Sequence, residues 1–434
     1  MFIMISNENQ KNLVIKRSIE YLVECSTENE HKIVSFMRSP DINAAFEILI
    51  AYMDDEDQIP ERTKRKAIYK AVRRFVKYEK YKNGKDPVRL FFRAYNIELR
   101  QIQKKRTNYF VLTFLNLDYQ SVTNLSNLPI FDDSLRFCNW NNLSEFNICD
   151  LLKQLERENE NQDLFIKSGE KLIPKTITFA PILFEIYTYD IEAAVDAANE
   201  KIDFLRAFIN TSFSLLRYTY FRTKPKELSK VLPTPIYAVF NQDRKFIKIY
   251  YTLGDYSYSA IKIPKDRLKT IEYLMSIYSN LKNNNDLNSY LISILKQYQK
   301  ALDMSNAEIA YLAMWRVLEY SVSLGEKDIK NHLIKSRTKT LINPNQIQKD
   351  VIEIVTDQRN LLVHSGVIPD DIDPIYFLLK NLVDQIIYHF VKLSHHFNSI
   401  NELRQFLSYA ELGNNDLEQR KQVIEKIIEA RIRK

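Results

Sequence analysis

The chain has 434 residues, and only 6 of them are glycine. A loop that wraps a phosphate with backbone N–H groups needs several glycines close together. Neither G-x-G-x-x-G nor G-x-x-x-x-G-K-[ST] occurs, which excludes the two common nucleotide-binding fingerprints. So little glycine also speaks against an all-β fold, whose tight turns depend on it. The three cysteines, Cys25, Cys138 and Cys149, form no C-x-x-C and no zinc spacing. A sparse, odd set fits a reducing compartment. The opening "MFIMISNENQKNLVIK" turns polar too early for a signal peptide. No run approaches the ~18 apolar residues of a membrane span. These absences lead us to expect a soluble, cytoplasmic protein without a membrane partner.

What is present is a large apolar content, 45% hydrophobic and 12% aromatic with 26 Tyr and 24 Phe. That suffices for sizeable cores, and the length predicts two or three domains. The net charge of +7 conceals a concentration. Between Arg62 and Arg106 stand 17 Lys or Arg against Glu79, Asp86 and Glu98, a local +14; the remainder holds 45 basic and 52 acidic residues, or −7. Residues 62–82 read as one basic amphipathic helix. Lys66, Lys70, Arg73, Lys77 and Lys80 recur at helical spacing and form one stripe, opposite Ile68, Ala71, Val72 and Phe75. With Tyr69, Phe75, Tyr78 and Tyr81 interleaved, the stripe is a candidate RNA-binding surface; the plainer alternative is a solvated helix face.

The expected fold class is α+β, mostly α. Residues 1–107 read as a helical, basic N-terminal region, with 8–60 helical throughout apart from a polar break. Residues 108–280 read as an α+β domain with a sensor or regulatory role. Its strand candidates are "NYFVLTFLNLD" from Asn108, "KTITFAPILFEIYTYD" (Lys175–Asp190), "TPIYAVF" and "RKFIKIYYTL", the last two joined as a hairpin through "NQD". A long helix, "IEAAVDAANEKIDFLRAFINTSF", lies between them. "LKNNNDLN" (Leu281–Asn288) is the best linker. Residues 285–400 then read as a four-helix bundle. Its first helix carries Leu287, Leu291, Ile294, Tyr298 and Ala301 on one stripe. Ser305 to Glu308 form a capping box opening the second. A loop and a short basic piece precede the third, "NQIQKDVIEIVTDQRNLLVH". Asp373-Pro374 opens the fourth as N-cap and N1. Residues 401–434 read as a charged, peripheral C-terminal helix.

The third helix ends on "DQRNLLVHSG". In a chain with 6 His, one stands five residues after an Arg and just before Ser-Gly. In an ideal helix Arg359 and His364 point about 140° apart. Gly366 is a natural helix stop, so His364 falls in the last turn, where it can lean off the axis while the long Arg359 side chain reaches the same space. An imidazole exchanges protons near neutral pH and a guanidinium is a permanent cation; both can address one phosphate. Asn360 adds a neutral donor.

Arg-Asn-Leu-Leu-Val-His resembles the motif of HEPN domains, an Arg followed by a polar residue and, four to six residues on, a His. The match is closest to the ApeA-like HEPN family of bacterial anti-phage defence ribonucleases and covers roughly residues 285–400, with "WRVLEY" in the second helix. The resemblance implies a metal-independent endoribonuclease that dimerises through the motif face, without a cofactor. It implies a toxic effector of abortive infection with a phage-derived trigger. The catalytic residues would be Arg359, Asn360 and His364, with Glu319 a possible partner for Arg359.

The expected chemistry follows from RNA carrying its own nucleophile, the 2′-OH. One group takes that proton, another protonates the leaving 5′-oxygen, and a guanidinium stabilises the charge on the phosphorane. The product ends are a 2′,3′-cyclic phosphate and a 5′-OH. One His per chain cannot easily do both tasks, so two chains would share a cleft. The other reading is a non-catalytic scaffold that holds nucleic acid or a partner chain. No metal site is expected: His389 lies on the apolar stripe of the fourth helix, and His395 and His396 mark its end.

Overall fold

The computed structural model describes residues 2–28, 34–36, 40–52, 61–77, 86–126, 135–137, 181–214, 229–233, 236–251, 261–281, 285–327, 329–365, 372–409 and 414–432, with short pieces between 143 and 154 and residue 412. The chain is mostly helical, with its sheet in the N-terminal half and helices after it. It divides into two compact units. One comprises Met1–Val111, Phe184–Ala198 and Tyr237–Tyr250; the other comprises Leu112–Leu183, Asn199–Ile236 and Tyr251–Lys434. No helix among the described residues is long and apolar enough to cross a membrane.

In the first unit, helices α1 (Phe2–Glu24), α2 (Pro40–Tyr52), α3 (Glu61–Lys77) and α4 (Pro87–Gln103) share one core. Ile15, Ile19 and Leu22 meet Ile42 and Leu49, the α3 residues Ile68, Ala71, Val72 and Phe75, and Phe91 and Tyr95 of α4. The apolar face read from the α3 spacing is thus the buried one. Asp86 caps α4 by accepting from the Val88 N–H at 3.0 Å, and Pro87 supplies its first turn. The reading of residues 8–60 as helix needs correction. A two-stranded antiparallel ladder, β1 (Ser26–Glu28) with β2 (Val34–Phe36), separates α1 from α2. Such short strands exist only by pairing with each other, and no periodicity within either one records that.

The main sheet runs in the order β4-β5-β3-β6-β7, where β3 is Thr107–Phe114, β4 Leu135–Phe137, β5 Pro181–Thr188, β6 Ile236–Phe240 and β7 Phe246–Tyr251. The expected hairpin is present. At its tip the Asn241 Oδ1 accepts from the N–H groups of Asp243 and Lys245, and Arg244 takes φ 60°. Helix α5 spans Tyr119–Ser126, and the long helix α6 spans Ile191–Ser214. Asp190 opens α6 by accepting from the Ala193 N–H at 2.8 Å.

From Lys265 on, the second unit is helical: α7 (Lys265–Leu281), α8 (Asn285–Leu302), α9 (Ala307–Ser323), α10 (Asn331–Ile342), α11 (Gln346–Ser365), α12 (Asp373–Ser394), α13 (Ile400–Tyr409) and α14 (Asn414–Ile432). Helix α12 is central, packed by α7, α8, α9, α10 and α11. The α8 stripe Leu287, Leu291, Ile294, Tyr298 and Ala301 is buried as expected. Three local readings change. The basic piece at 331–342 is a helix, α10. It lacks a side-chain N-cap but ends on Asn343 in the left-handed region, whose N–H donates to the Lys339 carbonyl at 3.0 Å. The α9 cap is Asn306, accepting from the Ile309 N–H at 2.9 Å, not Ser305. Helix α12 is preceded by Ile372 without a side-chain cap, and Asp373 is its first residue.

Inside α12 two opposite charges stand one turn apart, Lys380 and Asp384, 2% and 1% exposed. The ammonium donates to Asp384 Oδ2 at 2.7 Å, and the Tyr298 hydroxyl of α8 donates to Oδ1 at 2.5 Å. Burial pushes the Lys380 ammonium below its ordinary pKa, against the pull of Asp384. Removing one member leaves an uncompensated buried charge; removing all of them does not. Asp384→Ala is therefore expected to cost about 3–5 kcal/mol. The triple change Lys380→Met, Asp384→Leu and Tyr298→Phe should recover most of it. Urea unfolding followed by circular dichroism checks both; a near-neutral Asp384→Ala would show that the pair carries no such constraint.

Candidate functional site

The C-terminal motif lies on α11, and the helix start sets its register. Asn345 and Gln348 form a reciprocal capping box. The Gln348 N–H donates to Asn345 Oδ1 at 3.0 Å and the Asn345 N–H donates to Gln348 Oε1 at 2.9 Å. The Gln348 amide also donates to Gln385 of α12 at 2.8 Å, so the cap ties α11 to its neighbour. Val355 and Thr356 face the core. The Tyr311 hydroxyl of α9 donates to the Val355 carbonyl. Burial raises that phenol's pKa, while the charge of Arg359 acts in the opposite sense.

Arg359 and Asn360 are brought together, and both are half-buried. The Arg359 Nη1 donates to Asn360 Oδ1 at 3.3 Å, and its guanidinium carbon stands 6.0 Å from the Trp315 ring of α9. The same Asn360 oxygen accepts from Asn331 Nδ2 at 2.9 Å, which puts the start of α10 beside the motif. Asn331 carries no sequence signal, because its segment reads as a loop and lies 29 residues away. Among the described residues Arg359 has no carboxylate partner. Glu319, expected as its partner, is half-buried on α9 and, among the described residues, is not paired with Arg359. His364 is exposed and is not joined to Arg359 by any contact among the described residues. Gly366, the expected stop, lies outside the described residues.

Three residues of α11 recur every seven positions on its open face. Ile347, Ile354 and Leu361 are 74%, 47% and 47% exposed. The helix period carries such a row down one side, and among the described residues it lies open to solvent.

The basic helix α3 differs from its sequence reading. Lys66 is bound to Asp190 at 3.2 Å and to Glu192, at the start of α6. Burial works against the Lys66 ammonium, but those two carboxylates raise its pKa overall. Lys66 is thus an anchor, with its charge already spent on carboxylates. Arg65 grips Glu47 with both terminal nitrogens, and Arg74 holds Glu98 at 2.7 Å. Of the expected stripe, Lys70 and Arg73 alone are described without an acidic partner. The Lys77 side chain and Lys80 lie outside the described residues, as do Tyr78 and Tyr81. Phe75 is buried, whereas Tyr69 is 38% exposed.

The remaining histidines stand apart from the motif. His389 is half-buried with its ring edge-on to Tyr388; burial, with Lys392 nearby, lowers its pKa. His395 and His396 lie side by side at the end of α12, their ring centroids 3.8 Å apart and tilted by 39°. Among the described residues no three His, Cys, Asp or Glu side chains gather as metal ligands would.

Comparison with protein-family models, with curated proteins and with solved structures finds no match to this chain.

Helix α10 is held against α11 by Glu353, which accepts from Lys335 and, at 3.0 Å, from Lys339. Those bonds lower the Glu353 pKa. A depressed carboxylate stabilises the fold above its ordinary pKa, and the contribution disappears as pH falls through the folded-state value. The carboxylate is 45% exposed, which limits the effect to about 0.2–1 kcal/mol. Thermal melts of the native chain and Glu353→Gln should therefore differ at neutral pH and converge in acid. A difference that persists unchanged into acid would assign the stabilisation to packing.

Proposed function

We propose that this chain is a metal-independent endoribonuclease of the HEPN type, with residues 285–400 as the nuclease domain. The observation that carries the reading is Arg359. It is a half-buried guanidinium that has no carboxylate partner among the described residues, held by Asn360 and Trp315, one and a half turns before an exposed imidazole at the helix end. A cation kept at low dielectric and left unneutralised is suited to an anion that arrives with the substrate.

In this reading the RNA 2′-OH attacks the adjacent phosphorus. An imidazole takes the hydroxyl proton, and a second acid protonates the departing 5′-oxygen. Arg359 stabilises the charge on the phosphorane, and Asn360 orients the guanidinium and offers its amide to a phosphate oxygen. The ends formed are a 2′,3′-cyclic phosphate and a 5′-OH. DNA lacks the nucleophile, so RNA selectivity follows from the chemistry. One motif His per chain calls for two chains, and the uncovered row Ile347, Ile354 and Leu361 beside the motif supplies an apolar surface for a second copy. The biological role that goes with the resemblance is a toxic effector of anti-phage defence, triggered by a phage component.

One observation favours a second reading, a non-catalytic scaffold. Arg359 turns toward Trp315 while His364 faces solvent, so one chain by itself does not assemble the pair.

RNA cleavage in EDTA decides between them. The native chain should cut and leave cyclic phosphate ends. His364→Ala should lose about 10²–10⁴ in rate. Arg359→Lys should also be severely impaired, because an ammonium lacks the planar fork. Native-level cutting by purified His364→Ala would remove that residue from the mechanism, and no cutting by the native chain would favour the scaffold.

The dimer has its own test. Ile354→Asp and Leu361→Asp place charges in the uncovered row and should yield monomers by analytical ultracentrifugation, with cleavage lost in parallel. A fully active monomer would overturn the shared cleft.

A further inference from the structure

Helices α2 and α3 enclose a cleft of about 630 Å³, within the range of small-ligand sites. Its lining includes Phe46 and Ile50 from α2 and Tyr69, Lys70 and Arg73 from α3. Phe46 and Tyr69 form an aromatic wall, their ring centroids 5.8 Å apart and tilted by 32°. The Arg73 guanidinium carbon stands 5.4 Å from the Tyr69 ring. An arginine beside an aromatic ring keeps N–H groups available for an anion.

Charge bookkeeping inside the cleft separates the cations that serve the fold from those that can serve a ligand. Glu47, the acid in the lining, is occupied by both terminal nitrogens of Arg65. Lys66 is bound to Asp190 and Glu192. Those two cations and three carboxylates satisfy one another. Among the described residues Lys70 and Arg73 remain without an acidic partner, one helical turn apart on the same side of α3, beside an apolar, aromatic wall. A purely apolar ligand would not use the cations, and an inorganic anion would not use the rings. A nucleotide has both halves, a π face for the wall and a phosphate for the cations.

We propose that this cleft seats one nucleotide of single-stranded RNA, with its base against Phe46 and Tyr69 and its phosphate on Lys70 and Arg73. A free face on the base is needed for stacking, which duplex RNA does not offer. The site belongs to α2 and α3 and shares no residue with the α11 motif, so it recruits the strand without touching the bond that is cut. It takes RNA as ligand from the nuclease reading, but its test measures binding alone.

The experiment is fluorescence anisotropy of a labelled single-stranded oligouridylate, in EDTA, on full-length chains carrying His364→Ala so that the strand stays intact. The Lys70→Gln/Arg73→Gln variant should bind at least about 10-fold more weakly. Its plot of log affinity against log salt should be shallower by about 0.7, the share of one phosphate. Tyr69→Ala should lose about 10-fold through stacking, with Tyr69→Phe near the parent. Lys70 and Tyr69 are exposed, so these changes leave the core of the unit intact. A control pair on α14, Arg420→Gln/Lys421→Gln, should keep the parent slope. Parent-like binding by Lys70→Gln/Arg73→Gln overturns the proposal. So does equal affinity for a duplex, or displacement of the strand by UMP at the strand's own concentration, which would make the ligand a free nucleotide. Binding of this form without cleavage by the native chain would remove the nuclease reading and leave this one standing; cleavage with unchanged binding by the variants would do the reverse.

Discussion

The Lys380–Asp384 pair is the constraint around which the C-terminal helices are arranged. Two charges buried one turn apart have a large desolvation cost, and they are stable only with every lone pair and proton occupied. Asp384 achieves this by reaching Lys380 on its own helix and Tyr298 on α8. A rotation or slide of α12 against α8 would break that bond and strand a charge, so the register of the two helices is set. Helices α9, α10 and α11 pack on the same α12, and their positions follow. The half-buried setting of Arg359 is downstream of this: it needs α9 to present Trp315 and α10 to present Asn331 at the right height.

Elsewhere in the same unit a polar network plays a similar part. The Arg206 guanidinium, 3% exposed, bonds Asp303 at 2.7 Å, Asp203 at 3.0 Å and the Val231 carbonyl at 2.9 Å. Asn210 accepts from the N–H groups of Lys230 and Val231 and donates to Gln299. A stretch without regular structure, residues 229–231, is thus held to α6 and α8 by satisfied polar groups, which buried backbone requires.

Basic charge in this protein has two uses that composition cannot separate. Arg65, Lys66 and Arg74 each hold a carboxylate from another segment and so bind the first unit together. Lys70 and Arg73, on the same helix, hold none among the described residues. A local excess of +14 describes both groups alike. The difference arises because Glu47, Glu98 and Glu192 are distant in sequence and adjacent in space.

The sequence alone determined those features whose physical cause is local. The α3 apolar face, the α8 stripe, the β6–β7 turn and the long α6 helix follow from spacing and turn chemistry, because each depends on residues a few positions apart. The Arg359–Asn360 adjacency was legible for the same reason, as was the mostly helical α+β class. Tertiary structure decided the rest. The α10 segment lacks a side-chain cap and is basic, and it is helical because Ile334 and Leu341 are buried and Lys335 and Lys339 meet Glu353 on α11. The β1–β2 ladder exists only as a pair. Asn331 reached the motif, Lys66 was withdrawn from any ligand, and Glu319 was left without Arg359, because the partners of buried and half-buried polar groups are chosen by packing between helices, a distance that no spacing along the chain encodes.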